Sequence, residues 1–143
     1  MQIKIRKALT SDYQFFYKLR NNPTDKKYFF NQKQINLNKH KKWFNNNLNK
    51  KNKILLIAYL NRFIPVATVR YDLNNSTGYV SIILQKKFRG KGYGAKVLKL
   101  SEKFLKKGAF IISKVKKNNQ NSIRVFEKNK YFITSVKSHI TLA

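Results

Sequence analysis

Hydrophobic and polar positions repeat with two different periods along this chain, and the changes of period divide it into strands and helices. Residues 2–8 (QIKIRKA) alternate apolar and basic side chains with period two, which is typical of a half-buried strand. Short apolar runs bounded by turn residues predict further strands. They lie at residues 53–60, 63–73, 79–85, 109–115, 131–136 and 138–143.

Apolar residues at helical spacing predict four helices. The first covers residues 9–22, begins at the capping candidates Thr10, Ser11 and Asp12, and ends before Pro23. The others cover residues 37–48, 93–107 and 119–129. Gly108 is the expected C-terminal signal of the third helix, and Asn119 is the expected cap of the fourth.

The order of these elements, β-α-α-β-β-β-α-β-α-β-β, predicts an α/β fold built on one mixed sheet. No repeat or long linker interrupts it, so residues 1–143 are expected to form a single domain. No apolar run is long enough to span a membrane, and the first residues do not resemble a signal peptide. We therefore expect a cytoplasmic protein that makes no membrane contact.

The charge of the chain is strongly positive. It has 32 Lys and Arg residues against five Asp and Glu, a net charge of +27. Such a charge attracts anions, and nucleic acid is the obvious partner. However, only six of the basic residues are Arg, the lysines are spread over the whole chain, and Asn is also abundant, which favours a compositional bias. We expect no specific nucleic-acid binding.

Two other site classes are disfavoured by composition. The chain has no cysteine, which excludes disulfides and thiolate metal ligands. Its two histidines, His40 and His139, are far apart in sequence. The sequence therefore predicts no metal site.

The most specific local feature is a glycine-rich loop. Gly90, Gly92 and Gly94 are three of the five glycines in the chain, and Arg89 and Lys91 lie among them. The loop joins a predicted strand to a predicted helix, whose first turn offers unpaired N–H groups and the positive end of the helix dipole. Without Cβ atoms, such a backbone lets a phosphate approach closely. The loop predicts a phosphate-binding site.

The two common nucleotide-binding motifs do not fit this loop. The dinucleotide fingerprint directly follows its strand and needs an acidic residue about 20 positions later. Here residues 85–89 intervene, and residues 110–117 contain no acid. A Walker loop needs Gly-Lys followed by Ser or Thr, whereas Gly90-Lys91 is followed by Gly92.

Arg89-x-x-Gly92-x-Gly94 instead resembles the pyrophosphate loop of the GNAT N-acetyltransferases, which follows a three-stranded meander in that family. Residues 119–132 (NQNSIRVFEKNKYF) are similar to a later motif of the same family. The resemblance covers nearly the whole chain. It implies a single acyl-CoA N-acyltransferase-like domain with a mostly antiparallel sheet and about four helices, and acetyl-CoA as the cofactor.

The resemblance also implies which residues contact the cofactor. The loop backbone would hold the pyrophosphate, the exposed edge of the preceding strand would pair with the pantetheine arm, and the N–H of Ile83 would stabilise the oxyanion. The expected cofactor-binding residues are Ile82, Ile83, Leu84, Arg89, Gly90, Lys91, Gly92, Tyr93, Gly94, Asn119, Ser122 and Phe126.

Proton transfer is less well defined by the resemblance. Phe126 lies where the family often has a Tyr general acid, Tyr79 lies where a strand acid often serves as base, and Lys130 replaces a Gly. The general acid and base therefore stay open. The candidate catalytic residues are Ile83, Tyr79, Ser81 and Tyr131.

The N-terminal residues 18–23 and 40–44 are similar to enzymes that acetylate nucleotide-linked amino sugars in nonulosonic, pseudaminic-acid-type sugar synthesis. This implies a small, anionic amine acceptor. Two alternatives stay open: acetylation of a protein N-terminus, as in ribosomal-type enzymes, and a basic nucleic-acid or ribosome-associated binding module on a decayed acyltransferase fold. The expected acceptor residues are Arg20, Asn21, Trp43, Arg70 and Tyr71.

Overall fold

A computed structural model describes residues 2–143, and its centre is one seven-stranded sheet of order β1-β2-β3-β4-β5-β7-β6. Every neighbouring pair is antiparallel except β4–β5. The predicted mixed, mostly antiparallel α/β sheet is confirmed. The strands are β1 (Ile3–Lys7), β2 (Lys53–Leu60), β3 (Ile64–Asn74), β4 (Thr77–Leu84), β5 (Phe110–Lys116), β6 (Ile133–Val136) and β7 (His139–Leu142).

Four α-helices connect these strands, as the apolar periodicity predicts. They are α1 (Tyr13–Arg20), α2 (Leu37–Leu48), α3 (Tyr93–Ser101) and α4 (Gln120–Lys128). Short 3₁₀ helices cover Thr10–Asp12, Pro23–Tyr28, Lys86–Phe88 and Glu102–Phe104. The bounds of α2 agree with the prediction at both ends, and α4 follows its expected cap, Asn119.

Two helix predictions were too long, for the same physical reason. The helix expected over residues 93–107 ends at Ser101 and continues as the 3₁₀ turn Glu102–Phe104. A 3₁₀ turn repeats every three residues, so it keeps Ser101 and Phe104 on the core side just as an α-helix would. Apolar spacing alone does not separate the two conformations, and the residues before α1 show the same ambiguity.

The helices cover both faces of the sheet. On one face, α3 and α4 pack against β-strand residues such as Leu56, Val69 and Tyr71. On the other face, Phe16 of α1 and Phe44 of α2 pack against β2. Within residues 2–143, no helix combines the length and the apolar character needed to cross a membrane.

The one parallel pairing in the sheet is short. β4 and β5 are paired only from Thr77–Phe110 to Tyr79–Ile112. From Ser113 onward, β5 pairs with β7 on its other side. The C-terminal half of β4 therefore separates from β5 and leaves a gap in the middle of the sheet.

Candidate active site

The backbone that faces this gap belongs to alternate residues of β4. The N–H of Gln85 donates to Val66 O at 2.8 Å, and in an antiparallel ladder such bonded pairs recur every second residue. Ile83 is therefore bonded to Thr68 of β3, and the N–H groups of Ile82 and Leu84 are directed into the gap. The expected oxyanion role of the Ile83 N–H is corrected: the ladder directs that group away from the gap.

The glycine loop lies at the open end of the gap. Gly92 is the N-cap of α3 and has φ of +81°, a conformation that residues with a Cβ rarely adopt. The N–H groups of the first turn, Tyr93, Gly94 and Ala95, have no intrahelical acceptor. A cavity of about 270 Å³ is lined by this loop, β4 and α4, including the basic residues Arg124 and Lys128. We call it the loop cavity.

Gly94 has a packing role inside this loop. A Cβ at this position would come within 2.8 Å of Val125 Cγ2. Gly94 therefore lets α3 approach α4 closely, and this contact forms one wall of the loop cavity. By contrast, a Cβ at Gly92, which lines the loop cavity, would meet no atom within 4 Å.

Arg89 lines the loop cavity, but its side chain is bonded to protein atoms. Its guanidinium donates two hydrogen bonds of 2.7 Å to the buried carboxylate of Asp25 and two more to Leu84 O. The backbone N–H of Arg89 is also occupied, because it donates a hydrogen bond to Lys86 O at 3.1 Å. The expected contacts of Arg89 with a phosphate are thus replaced by contacts within the protein, because Asp25 offers a buried carboxylate.

Some of the other expected cofactor residues line one of the cavities, and others have side chains that lie outside them. Asn119 caps α4 by accepting a 3.3 Å hydrogen bond from the N–H of Ser122, and both residues line the gap. Phe126 is buried against the ring of Tyr131 and forms the inner wall of the neighbouring cavity described next. One expectation is corrected: the Lys91 side chain projects to solvent and lines neither cavity. The ring of Tyr93 packs against Phe88, and its expected contact with the cofactor, through the backbone N–H, stays a prediction.

A second cavity of about 460 Å³ continues from the gap toward α1 and α2, and we call it the acceptor cavity. It shares a wall with the loop cavity, formed by Tyr28, Phe29, Ile82, Ile83, Asn119 and Ser122. Its lining includes Arg20, Trp43 and Arg70, which stay predicted acceptor residues, and Ser81. The two cavities together form a continuous path through the gap.

The acceptor cavity is strongly basic. Arg70 lies over the ring of Trp43 at 5.6 Å, and Arg20 lies over the ring of Phe29 at 4.7 Å. Burial, and then the charge of Arg70, lower the pKa of Arg20. The buried Nε of Arg70 is 3.3 Å from Asp72 Oδ2 but lacks hydrogen-bond geometry and has no other partner in residues 2–143. No Asp or Glu in that part of the chain lines this cavity.

His40 also lines the acceptor cavity, and the sequence analysis did not identify it as a site residue. It lies in the first turn of α2, with its ring 5.5 Å from the rings of Tyr17 and Trp43. Burial, and then the charge of Arg20, lower the pKa of His40. Its spacing of three from Trp43 puts both on one helix face, the only sequence signal that could have identified it.

Comparison with known proteins identifies the family. Residues 7–131 match the acetyltransferase (GNAT) family. The chain belongs to this family. It is an acetyl-CoA-dependent N-acetyltransferase, as its sequence motifs predict. A comparison with curated proteins gave no match.

Solved structures with the same fold align with nearly the whole length of this acetyltransferase. A domain from Methanocaldococcus jannaschii is 22% identical, with TM-score 0.82 over 99% of this chain and 96% of that one. Spermidine N-acetyltransferase from Vibrio cholerae, solved with CoA and spermine, is 14% identical, with TM-score 0.82 over 99% and 92%. AAC(6')-Ib, solved with ribostamycin and coenzyme A, is also 14% identical, with TM-score 0.82 over 99% and 93%.

Two expected acceptor residues of the acetyltransferase lie outside both cavities. Asn21 is buried in the protein: its Oδ1 accepts from Ile35 N–H at 2.8 Å and its Nδ2 donates to Tyr17 O. Tyr71 points to the opposite face of the sheet, where its hydroxyl and Ser101 Oγ share a 2.6 Å hydrogen bond. Burial raises the pKa of Tyr71 to about 12. Both are corrections, because each side chain is used to hold the fold.

Two expected catalytic residues also lie elsewhere. Tyr79 is on β4 where β4 and β5 are still paired, and its exposed ring lies 5.2 Å from the amino group of Lys114. Tyr131 is buried against the ring of Phe126, and burial raises its pKa. It lines a separate depression beside Gly108. Both expectations are corrected, because neither hydroxyl reaches the gap.

Proposed function

We propose that this acetyltransferase acetylates a primary amine that also carries an anionic group, and that a nucleotide-linked amino sugar represents this class best. The observation that carries the proposal is the pair Arg20 and Arg70 in a cavity that no Asp or Glu of residues 2–143 lines. Arginines in such a setting favour phosphate or carboxylate, which they bind through paired hydrogen bonds.

The residues around the gap fit acetyl-CoA. The N–H groups of Ile82 and Leu84 could pair with an extended pantetheine chain as a neighbouring strand would. The first turn of α3 offers free N–H groups to a pyrophosphate beside Gly92. Arg124 and Lys128 add positive charge at the same cavity. When bound, acetyl-CoA supplies the acetyl group as an activated thioester.

The wall shared by the two cavities supports transfer of an acetyl group from the loop cavity to an amine in the acceptor cavity. Ile82 and Ile83 belong to the shared wall, so an acetyl group held at β4 would face the acceptor cavity. Phe126 closes the inner side of that cavity with an apolar ring. An amine that enters past Arg20 and Arg70 would reach the acetyl group from the α1–α2 face of the sheet.

The charge of the acceptor cavity argues against a polyamine. The Vibrio cholerae structure holds spermine, which is a polycation. In this chain a polycation would meet two arginines in a cavity that no Asp or Glu of residues 2–143 lines, and like charges in a partly desolvated site repel strongly. A nucleotide sugar instead brings a diphosphate for the arginines. It also brings a base or sugar ring that can stack on Trp43, Phe29 or Phe30.

The test is acetyl-CoA-dependent thiol release with five amines at equal concentration. They are a UDP-linked 4-amino sugar, glucosamine 6-phosphate, spermidine, kanamycin and a peptide with a free N-terminus. We expect the highest kcat/KM with an anionic amino sugar. A preference for spermidine, kanamycin or the peptide would contradict the proposed acceptor class but not the acetyltransferase activity.

A pair of arginine variants sharpens this test. Arg70→Gln should raise KM for the anionic acceptor about 10-fold or more, because a hydrogen-bonded charge contact is lost, and should leave acetyl-CoA affinity unchanged. Arg62→Gln is the matched control, since Arg62 is exposed in the turn between β2 and β3 and lines neither cavity. Equal KM values in the two variants would contradict a role for Arg70 in acceptor binding.

A further inference from the structure

Amine acetylation requires a proton acceptor, because only a neutral nitrogen has the lone pair that attacks a carbonyl carbon. No Asp or Glu in residues 2–143 lines the acceptor cavity. The hydroxyls of Ser81 and Thr68 are very weak bases. Among residues 2–143, His40 is the one side chain lining this cavity whose ordinary pKa lies near neutrality.

The geometry of His40 suits this task. Its side chain is 5% exposed, so it is packed in place between the rings of Tyr17 and Trp43 and borders the cavity. Its Nδ1 is buried and has no hydrogen-bond partner in residues 2–143. Protein atoms enclose Nδ1, whereas Nε2 is not enclosed in this way and also has no hydrogen-bond partner in residues 2–143. Nε2 is therefore the ring nitrogen that can face the cavity and accept a proton.

The groups around His40 also keep it neutral when the acceptor is absent. Arg20 and Tyr17 face it from α1, Trp43 from its own helix, and Arg70 borders the same cavity from β3. None of these is a carboxylate that would stabilise an imidazolium. Burial and the charge of Arg20 lower the pKa of His40, so the imidazole is unprotonated near pH 7 and able to accept a proton.

We propose that His40 is the general base that removes a proton from the acceptor's ammonium group in the acceptor cavity, directly or through one water molecule. This inference rests on the proposed function, amine acetylation in this cavity. It differs from the sequence expectation, which placed candidate proton-transfer groups at Tyr79, Ser81 and Tyr131.

The proposed reaction moves one proton to His40 and a second proton to sulfur. The imidazole takes one proton from the ammonium and becomes an imidazolium. The freed nitrogen lone pair forms the C–N bond, the C–S bond breaks, and its electron pair leaves on sulfur. The thiolate takes the second proton of the nitrogen and departs as a thiol. The imidazolium then loses its proton to water, which the neighbouring charge of Arg20 favours.

The first experiment compares His40→Gln with His139→Gln, the equivalent change at the second histidine, which lines neither cavity. The acceptors are the UDP-linked 4-amino sugar and glucosamine 6-phosphate. Near pH 7, kcat should fall about 100-fold in His40→Gln and stay unchanged in His139→Gln, because general base catalysis contributes roughly 10²–10⁴-fold. The deficit should shrink as pH rises and more of the amine is already neutral, and acetyl-CoA affinity by calorimetry should not change.

Two further measurements separate a base from a merely structural residue. Free imidazole should restore part of the activity of His40→Ala, where the missing ring leaves space. Carbon-13 NMR of the histidine rings of the wild-type protein should show His40 neutral near pH 7, a readout that needs no turnover. Unchanged kcat and pH profile in His40→Gln, or a protonated His40 at that pH, would overturn the role of His40 alone. A wild-type protein that releases no thiol with any amine would overturn the proposed function as well.

Discussion

The guanidinium of Arg89 and the carboxylate of Asp25 form a two-point ion pair across 64 positions of the chain, with both distances at 2.7 Å. The pair ties the Pro23–Tyr28 segment to the end of β4, because Arg89 also donates to Leu84 O. Tyr28 and Phe29, which follow Asp25, form part of the wall shared by the two cavities. A residue of the glycine loop thereby positions the entrance to the acceptor cavity.

This ion pair predicts unequal effects for its two members. Arg89→Met leaves the Asp25 carboxylate buried without its partner, which should cost about 3–5 kcal/mol of unfolding free energy. Asp25→Asn should cost less, because the remaining guanidinium is partly exposed and keeps its bonds to Leu84 O. Chemical denaturation measures both. An Arg89→Met protein as stable as Asp25→Asn would show that the buried carboxylate does not depend on Arg89.

Gly92 tests the proposed pyrophosphate contact. Gly92→Asn should weaken acetyl-CoA binding about 10-fold or more, because it adds a side chain at a residue that lines the loop cavity and caps α3. Asn tolerates positive φ better than other residues with a side chain. The matched control is Gly108→Asn, since Gly108 also has positive φ (+86°), has free space at its Cβ position and lies outside both cavities. Calorimetry that gives equal affinities for the two variants would contradict the contact.

Tyr71 is predicted to stabilise the fold and to take no part in catalysis. Tyr71→Phe removes the hydrogen bond to Ser101, which keeps its second bond to Leu98 O, so the loss of unfolding free energy should be about 1 kcal/mol. With its pKa raised to about 12 by burial, Tyr71 stays protonated at neutral pH. Thiol release should proceed at the wild-type kcat, and a large drop in kcat without a stability change would disprove this assignment.

His40 predicts a pH dependence of stability. Its pKa is lowered in the folded protein, mainly by burial, whereas the unfolded chain binds the proton near the ordinary value of about 6.5. The unfolded state therefore binds more protons, and stability should fall as pH drops below about 6.5, at no more than about 1.4 kcal/mol per pH unit. Denaturation from pH 7.5 to 5.0 should show this slope in wild type and in His139→Gln. If His40→Gln shows the same slope, the pH dependence of stability arises from another group.

Replacing Lys130 with glycine is expected to stabilise the folded protein. It has φ of +65°, in the left-handed region that costs a residue with a side chain about 1–2 kcal/mol. Lys130→Gly removes this cost but increases the entropy of the unfolded chain, so the net gain should be about 0.5–1 kcal/mol. Thermal unfolding measures it. Arg124→Gly, in the middle of α4, should instead lower the melting temperature, because glycine is unfavourable in a helix interior.

The sequence by itself determined the features that depend on neighbouring residues. Helix α2, the cap Asn119 of α4, the β2–β3 hairpin and the glycine loop before α3 were all predicted in place. Periodicity, capping and positive φ are local properties, because they depend on groups a few positions apart. Two separated motifs in the right order were also enough to predict the family, which the match over residues 7–131 confirms.

Only the tertiary structure decided which groups the site contains. The pairing of β4 with β3 determines that the backbone N–H of Ile82, rather than that of Ile83, is directed into the gap, since a strand directs alternate backbone groups to opposite sides. Asp25 takes the guanidinium of Arg89, and the packing of α2 on the sheet brings His40 beside Arg20. These contacts join residues far apart in sequence. Their free energy depends on distance and burial in the folded chain, which no local pattern contains.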